Sequence, residues 1–178
     1  WEAFGVGLTH AEANRRLGVD RGGLAYWVAA LREVFEECGV LLAVDDEGSP
    51  VSFGSPQTEA RFLAHRHAVY RHDVDFLDVI ASENLRLSFD RVGYLTRRIT
   101  PPMSPKRYDA RFFLARVPDE QTAVHDDYEL IESVWMRPGE AMARGDDGEM
   151  LIIKPTRDSL EYLASAESVA DLLARATG

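Results

Sequence analysis

Residues 32–40 of the chain read Arg32-Glu33-Val34-Phe35-Glu36-Glu37-Cys38-Gly39-Val40, and this stretch decides the fold. Glu33, Glu36 and Glu37 are spaced i, i+3 and i+4, which places their side chains on one face of a helix. The apolar residues of the same stretch lie on nearly the opposite face and can pack into a core. The spacing therefore predicts an amphipathic helix with its carboxylates gathered on the polar side.

The helix that carries this stretch is expected to run from Leu24 to Cys38. Apolar residues recur there at the helical period, at Leu24, Trp27, Val28, Leu31, Val34, Phe35 and Cys38. Gly39 provides the end of the helix because glycine adopts the left-handed C′ conformation without strain. A buried strand at Val40–Val44 and a turn over residues 45–48 are predicted to follow.

The remaining patterns predict helices and strands that mix without strict alternation. Upstream, Thr9-His10-Ala11-Glu12 has the form of a capping box that opens a short helix ending at Gly18. Downstream we predict helices at Gln57–Tyr70 and Asp73–Leu85, strands at Val92–Ile99, Tyr108–Arg116 and Ile131–Met136, a helix from Pro138 to Gly145, and helices at Arg157–Ala164 and Glu167–Ala176. This order favours an α/β fold of the α+β type, with a mixed sheet, over a doubly wound parallel sheet.

Composition and charge narrow the class of protein. The 178 residues are 46% hydrophobic and 28% charged, which predicts one soluble globular domain over residues 1–178. The net charge of -10 argues against a nucleic-acid polymer as partner, and no apolar run approaches the length of about 20 residues that spans a membrane. Cys38 is the single cysteine, which excludes an internal disulfide and suits a reducing cytoplasm.

The carboxylate cluster has two interpretations on its spacing alone. A solvated acidic helix face is the ordinary meaning of such a charge run. The alternative is a site for Mg²⁺ or Mn²⁺, since hard divalent ions prefer oxygen ligands and carboxylates held close together repel unless cations lie among them. Arg32, four residues before Glu36, could pair with a carboxylate and fix its rotamer.

The order of residues favours the metal site. Residues 32–40 match Arg-Glu-apolar-x-Glu-Glu-x-Gly-apolar, and this resembles the second half of the Nudix box at every specified position. The first half of the box does not match, because Leu24 stands where a glutamate is usual, although Gly18 agrees. The chain is therefore similar to the Nudix branch that includes the mammalian peroxisomal coenzyme A diphosphatase, in which a helical insertion interrupts the box.

That resemblance implies a Nudix-type α/β/α sandwich with additional segments. Residues 1–23 would form part of the insertion in the box, and residues 56–85 a second, helical insertion. The opening strands and the glycine-rich turn of the fold would then precede Trp1. Further similarity to the branch lies at Arg107–Ala115, at Glu129–Trp135 with Pro138 and Ala141, and at Pro155-Thr156 with Leu160.

The resemblance also implies roles for individual residues. Glu36 and Glu37 would be the main metal ligands, and Glu33 a further ligand or the group that orients the attacking water. Arg32 belongs to the same catalytic motif. Glu129 is the candidate for a further carboxylate from a late loop, with Glu132 second, and a solvated surface charge is the alternative for both.

Two residues of the second strand region are candidates for substrate binding. Arg107 could hold a phosphate through its guanidinium, and an ion pair with Asp109 is the alternative. Tyr108 could stack on an adenine, and packing in the core is the alternative.

These observations predict a metal-dependent hydrolase that cleaves the diphosphate bond of a nucleoside-diphosphate-linked small molecule. Coenzyme A or acyl-coenzyme A is the best single substrate on branch resemblance. The alternatives are an ADP-ribose, NADH or nucleotide-sugar pyrophosphatase and a non-catalytic Nudix domain that binds a nucleotide. No nucleic-acid or membrane partner is expected, and oligomeric state stays open, a homodimer included.

Overall fold

The structure is a computed structural model that describes residues 1–103, 105–126 and 132–177. The chain divides into two compact units, and each is described by itself. The first unit contains Trp1–Arg91 and Arg116–Ser133, and the second contains Val92–Ala115 and Val134–Gly178. The helix with the carboxylate cluster belongs to the first unit.

The first unit combines helices with short strands. Its helices are α1 (His10–Leu17), α2 (Gly23–Cys38), α3 (Pro56–Tyr70) and α4 (Phe76–Ser82), and its strands are β1 (Gly5–Val6), β2 (Ala43–Val44) and β3 (Arg86–Ser88). Single 3₁₀ turns lie at Glu2–Phe4 and Phe89–Arg91. The strands form one mixed sheet in the order β1-β3-β2, with β1 parallel and β2 antiparallel to the central β3.

The core of the first unit is built around the apolar face of α2. Trp27, Leu31 and Phe35 project from this face and are at most 1% exposed. The ring of Phe35 contacts that of Phe76 in α4, with the centroids 5.9 Å apart. Leu87 of the central strand is fully buried as well. Burial of each such side chain contributes about 1.5–3 kcal/mol relative to exposure, which fixes the orientation of α2 within the first unit.

The second unit is a two-stranded antiparallel sheet with helices. Its strands are β4 (Val92–Ile99) and β5 (Asp109–Ala115), and its helices are α5 (Pro138–Asp146), α6 (Lys154–Ala164) and α7 (Val169–Thr177). The pairing shifts between Tyr94 and Thr96, so β4 contains an irregularity there. A Cβ on Gly93 would lie 2.4 Å from the Cβ of Ala176, which shows how closely α7 packs on β4.

Most of the elements predicted from the sequence are present. Thr9 caps α1 by accepting from the backbone N–H of Glu12, and Gly18 ends that helix in the left-handed conformation. Helices α2 and α3 and strands β4 and β5 agree with their predicted ranges within a few residues. Helix α5 extends one residue beyond Gly145, and α6 begins at Lys154, where Pro155 suits the first turn of a helix.

The helix predicted from Asp73 to Leu85 is shorter than expected. Asp75 is its N-cap, because the Asp75 carboxylate accepts from the backbone N–H of Leu77 at 2.8 Å. The helix ends at Ser82, since Asn84 adopts a φ of 54° that a right-handed helix cannot include.

The strand predicted at Val40–Val44 is also shorter. The whole run is buried, but only residues 43 and 44 join the sheet, as β2. The backbone of Leu41 bonds to the side chain of Gln121 instead of to a neighbouring strand. The apolar character of the run therefore predicted its burial correctly but not the partners of its backbone hydrogen bonds.

The strand predicted at Ile131–Met136 is wrong for residues 132–136, which are irregular; residue 131 lies outside the described residues. The prediction assumed that the apolar residues of this segment were buried. Val134 and Trp135 are instead 54% and 71% exposed, so the burial that would favour a strand is lacking. Within the described ranges, no helix has both the length and the apolar character needed to cross a membrane.

Candidate metal centre

Helix α2 is fixed at its N-terminal end by close packing on α1. The backbone N–H of Gly23 donates to Oδ1 of Asn14 at 2.7 Å. A Cβ at residue 23 would lie 2.6 Å from the carbonyl carbon of Ala13, so the two helices approach closely only because this position is glycine. The contact defines where the first turn of α2 begins.

Arg32 lies between two of the predicted ligands. Its Nη1 donates to Oε1 of Glu36 at 2.7 Å, and its Nη2 donates to Oε1 of Glu33. The side chain of Glu36 is only 9% exposed, whereas that of Glu33 is 49% exposed. A buried carboxylate is costly without a counter-charge, so the guanidinium stabilises Glu36 and draws Glu33 toward it.

Glu37 is half-buried and completes the acidic face one residue further on. Its charge is felt by the neighbouring Cys38, the last residue of α2. Burial raises the pKa of the Cys38 thiol, and the Glu37 carboxylate raises it further. The thiol is therefore less reactive than an exposed cysteine, as expected for a structural side chain.

The C-terminal end of α2 is held by groups from two other segments. The Arg66 guanidinium from α3 donates through Nε to the carbonyl of Glu36 at 2.8 Å and through Nη2 to that of Glu37 at 2.7 Å. The backbone N–H of Val124 donates to the carbonyl of Cys38 at 2.9 Å. Gly39, with a φ of 70°, ends the helix.

Open cavities among the described residues are lined in part by Glu36. One, of about 360 Å³, is also lined by Arg32, His72 and Asp75. Another, of about 250 Å³, is also lined by Arg66, Tyr70 and His125. Open space therefore adjoins this residue, although its side chain is largely buried.

The donor set of α2 fits a hard divalent ion. Three carboxylates on one helix face supply oxygen atoms of the kind that Mg²⁺ and Mn²⁺ bind, and two of them already converge on one positive group. In the described part of the chain, no three His, Cys, Asp or Glu side chains lie close enough together to hold an ion jointly. Joint binding of one ion by the three carboxylates would therefore require a rearrangement of their side chains.

The other predicted site residues are Glu129, Glu132, Arg107 and Tyr108. Glu129 is outside the described residues, and Glu132 is exposed in an irregular segment. Arg107 and Tyr108 belong to the second unit, next to the start of β5.

The structure can be compared with the alternative roles of Arg107 and Tyr108, which were an ion pair with Asp109 and packing in the core. Arg107 donates from Nε to the carbonyl of Thr100 at 3.4 Å, while Asp109 accepts two bonds from Arg97. Tyr108 is 62% exposed, so packing in a core does not account for this ring.

Sequence reasoning missed two buried polar residues, Arg66, which supports α2, and Gln121, which holds the segment that follows it. Arg66 is 6% exposed, and no pattern distinguished it from the solvated basic residues that a polar helix ordinarily carries. Gln121 is 7% exposed, and its amide bonds to the backbone N–H and carbonyl of Leu41 and to the carbonyl of Val51. A lone glutamine in a loop gave no signal of this role.

Comparison with known proteins agrees with the motif on α2. An α+β fold whose acidic helix reads Arg-Glu-x-x-Glu-Glu-x-Gly defines a Nudix hydrolase. The chain belongs to the NUDT19 Nudix domain family, whose sequence profile matches residues 9–161. This confirms both the superfamily and the branch that the sequence predicted.

A solved structure supports the same fold. The crystal structure of a NUDIX hydrolase from Alicyclobacillus acidocaldarius is similar to this chain with a TM-score of 0.67 and 24% sequence identity. The similarity covers 93% of this chain and 75% of that one. No curated protein matches the sequence.

Proposed function

We propose that this chain uses a divalent ion, Mg²⁺ or Mn²⁺, to hydrolyse the diphosphate bond of a nucleoside-diphosphate-linked small molecule. The observation that carries the proposal is the bridging of Glu33 and Glu36 by Arg32 on α2. An acidic face that served only for solvation would not need a largely buried carboxylate with its own guanidinium partner.

We propose a role for each carboxylate of α2 from its place in the Nudix box. Glu36 and Glu37 would hold the ion, and Arg32 keeps the Glu36 side chain oriented toward the acidic face. Glu33 is more exposed, so it can serve as a further ligand or accept a proton from an attacking water. When bound, a divalent ion would neutralise the charge that develops on the diphosphate oxygens.

Water and the diphosphate substrate are the only compounds that the reaction consumes. The water oxygen forms a bond to one phosphorus, and the bridging P–O bond breaks with its electron pair remaining on the departing phosphate. The proton released by the water passes to a carboxylate, for which Glu33 and Glu129 are the candidates. No covalent enzyme intermediate is required.

Coenzyme A or an acyl-coenzyme A is the substrate that we propose, on the resemblance of Arg107–Ala115 to the coenzyme A diphosphatase branch. The products of coenzyme A would be phosphopantetheine and adenosine 3′,5′-bisphosphate. Arg107 would bind a phosphate of the substrate, and the exposed ring of Tyr108 would stack on its adenine.

The test is product analysis with competing substrates. Purified protein is incubated with Mg²⁺ or Mn²⁺ and with coenzyme A, ADP-ribose, NADH or a dinucleoside polyphosphate, and the products are identified by mass spectrometry. We expect coenzyme A to be cleaved fastest. Faster cleavage of ADP-ribose or NADH would reject coenzyme A but keep the reaction, whereas tight binding of an uncleaved nucleotide would indicate a non-catalytic domain.

A matched pair of variants separates the site from general damage. Glu36→Gln removes the charge of the buried carboxylate and should abolish turnover. Glu140→Gln changes an exposed glutamate on α5, paired with Arg144, and should leave the rate unchanged.

A further inference from the structure

Every carbonyl of the last turn of α2 has a hydrogen-bond donor. A helix leaves its final carbonyls without intrahelical partners, so they need donors from elsewhere. In α2 the carbonyl of Phe35 accepts from the N–H of Gly39, and that of Cys38 accepts from the N–H of Val124. The two carbonyls between them belong to Glu36 and Glu37, and both accept from the single guanidinium of Arg66.

Arg66 is suited to this position by charge as well as by geometry. A cation at the C-terminus of a helix interacts favourably with the helix dipole, and the effect is larger where water is excluded. Arg66 is only 6% exposed, so it meets the two carbonyls where little water reaches. Gly39 allows this approach, because a Cβ there would lie 3.1 Å from Nη1 of Arg66.

We propose that Arg66 is a positioning residue for the metal centre. The two carbonyls that it holds belong to the residues whose carboxylates would bind the ion, so it fixes the backbone from which both ligands project. The inference rests on the proposed metal-dependent hydrolysis and adds to it a contribution from α3. Helix α3 thereby supports α2, the helix that carries the carboxylates.

The bonds from Arg66 keep the last turn of α2 ordered. Terminal turns of helices fray readily unless their backbone groups are held. Without Arg66, two adjacent carbonyls would lose their donors in a buried environment, and the last turn would sample other conformations. Glu36 and Glu37 would then be placed together only part of the time, and metal affinity would fall.

The test compares metal binding to the metal-free protein, with Mn²⁺ as the probe and electron paramagnetic resonance as the readout. Arg66→Met removes both hydrogen bonds but keeps much of the side-chain volume. Arg66→Lys keeps the charge but not the planar pair of donors. Arg61→Met is the control, because Arg61 lies on the same helix, is 53% exposed and pairs with Glu83.

We expect Arg66→Met to weaken Mn²⁺ binding by about 10- to 100-fold, the usual cost of losing a group that orients metal ligands. Arg66→Lys should fall between the wild type and Arg66→Met, and Arg61→Met should match the wild type. In Arg66→Ala, added guanidinium chloride at millimolar concentration should restore part of the affinity, whereas sodium chloride at the same concentration should not.

Two results would overturn the inference. The first is a folded Arg66→Met protein that binds Mn²⁺ as tightly as the wild type. The second is an Arg66→Lys protein that binds Mn²⁺ with wild-type affinity. This result is decisive if Arg66→Met does not fold. Failure of the wild-type protein to bind Mn²⁺ would instead reject the proposed metal-dependent function together with this inference, so the two failures are distinguishable.

Discussion

Nη1 of Arg32 lies 2.7 Å from Oε1 of Glu36, one turn further along α2. This bond links the first residue of the Nudix motif to its most buried carboxylate. The pair is asymmetric, since Glu36 is far more buried than Arg32. Removal of either partner therefore has different consequences. Loss of Arg32 leaves a buried charge, whereas loss of the Glu36 charge leaves a guanidinium that water can still reach.

Arg32→Met should destabilise the protein by about 1–3 kcal/mol, because it strands the Glu36 carboxylate without its partner. Urea denaturation monitored by circular dichroism measures the change. The double variant Arg32→Met with Glu36→Gln should recover part of the loss. Arg71→Met, which breaks an exposed pair with Asp73, should cost less than about 1 kcal/mol. Equal losses of stability in Arg32→Met and Arg71→Met would show that the burial of Glu36 has no energetic consequence.

Gly39→Ala should destabilise the protein through two effects, its positive φ and the contact with Arg66. The φ of 70° alone costs about 1–2 kcal/mol for a residue with a Cβ. Gly48→Ala is the control, because Gly48 has a φ of 81° but nothing within 4 Å of the position of its Cβ. The excess loss of stability in Gly39→Ala over Gly48→Ala measures the contact with Arg66. No excess would mean that Arg66 moves aside freely.

Gln121→Glu should be strongly destabilising although the two side chains have nearly the same shape. The Gln121 amide nitrogen donates to the carbonyls of Leu41 and Val51 at 2.9 Å, and a carboxylate cannot donate to either. We expect a loss of about 1–3 kcal/mol for each unsatisfied buried group, which thermal denaturation at neutral pH detects. Retention of the wild-type melting temperature would show that these bonds do not stabilise the fold.

The raised pKa of Cys38 should appear as a pH-dependent stability. A thiol whose pKa is higher in the folded than in the unfolded protein contributes its full stability below the unfolded value, about 8.5. That contribution is lost as pH rises through the folded pKa. Unfolding free energies measured between neutral and alkaline pH should therefore fall less steeply in Cys38→Ser than in the wild type. Identical slopes would contradict the pKa shift.

The sequence was most informative where local rules act alone. The structure contains the N-cap at Thr9, the helix end at Gly39 and the three glutamates on α2, each of which depends on neighbours within one turn. The strands predicted at Val92–Ile99 and Tyr108–Arg116 are also present, and the structure pairs them as β4 and β5. The order of residues in α2 predicted the Nudix superfamily, and the interrupted box together with similar segments further along the chain predicted the branch, which the match to the NUDT19 Nudix domain family confirms.

The sequence was least informative where distant residues meet. Arg66 contacts carbonyls about 30 residues away, and Gln121 bonds to a segment 80 residues earlier in the chain. Gly5–Val6 forms a strand only because β3 lies beside it, and two residues carry no periodicity of their own. Val134 and Trp135 misled in the other direction, since their apolar character suggested burial that the fold does not provide.

The most direct test of the central claim is the rate of coenzyme A cleavage as a function of Mg²⁺ concentration, in the wild type and in Glu36→Gln. We predict no turnover in the presence of a chelator, a rate that rises and saturates with added Mg²⁺, and a fall in kcat of at least about 100-fold in the variant. Turnover that persists without metal, or a variant as active as the wild type, would contradict the assignment of α2 as the metal-binding helix of this hydrolase.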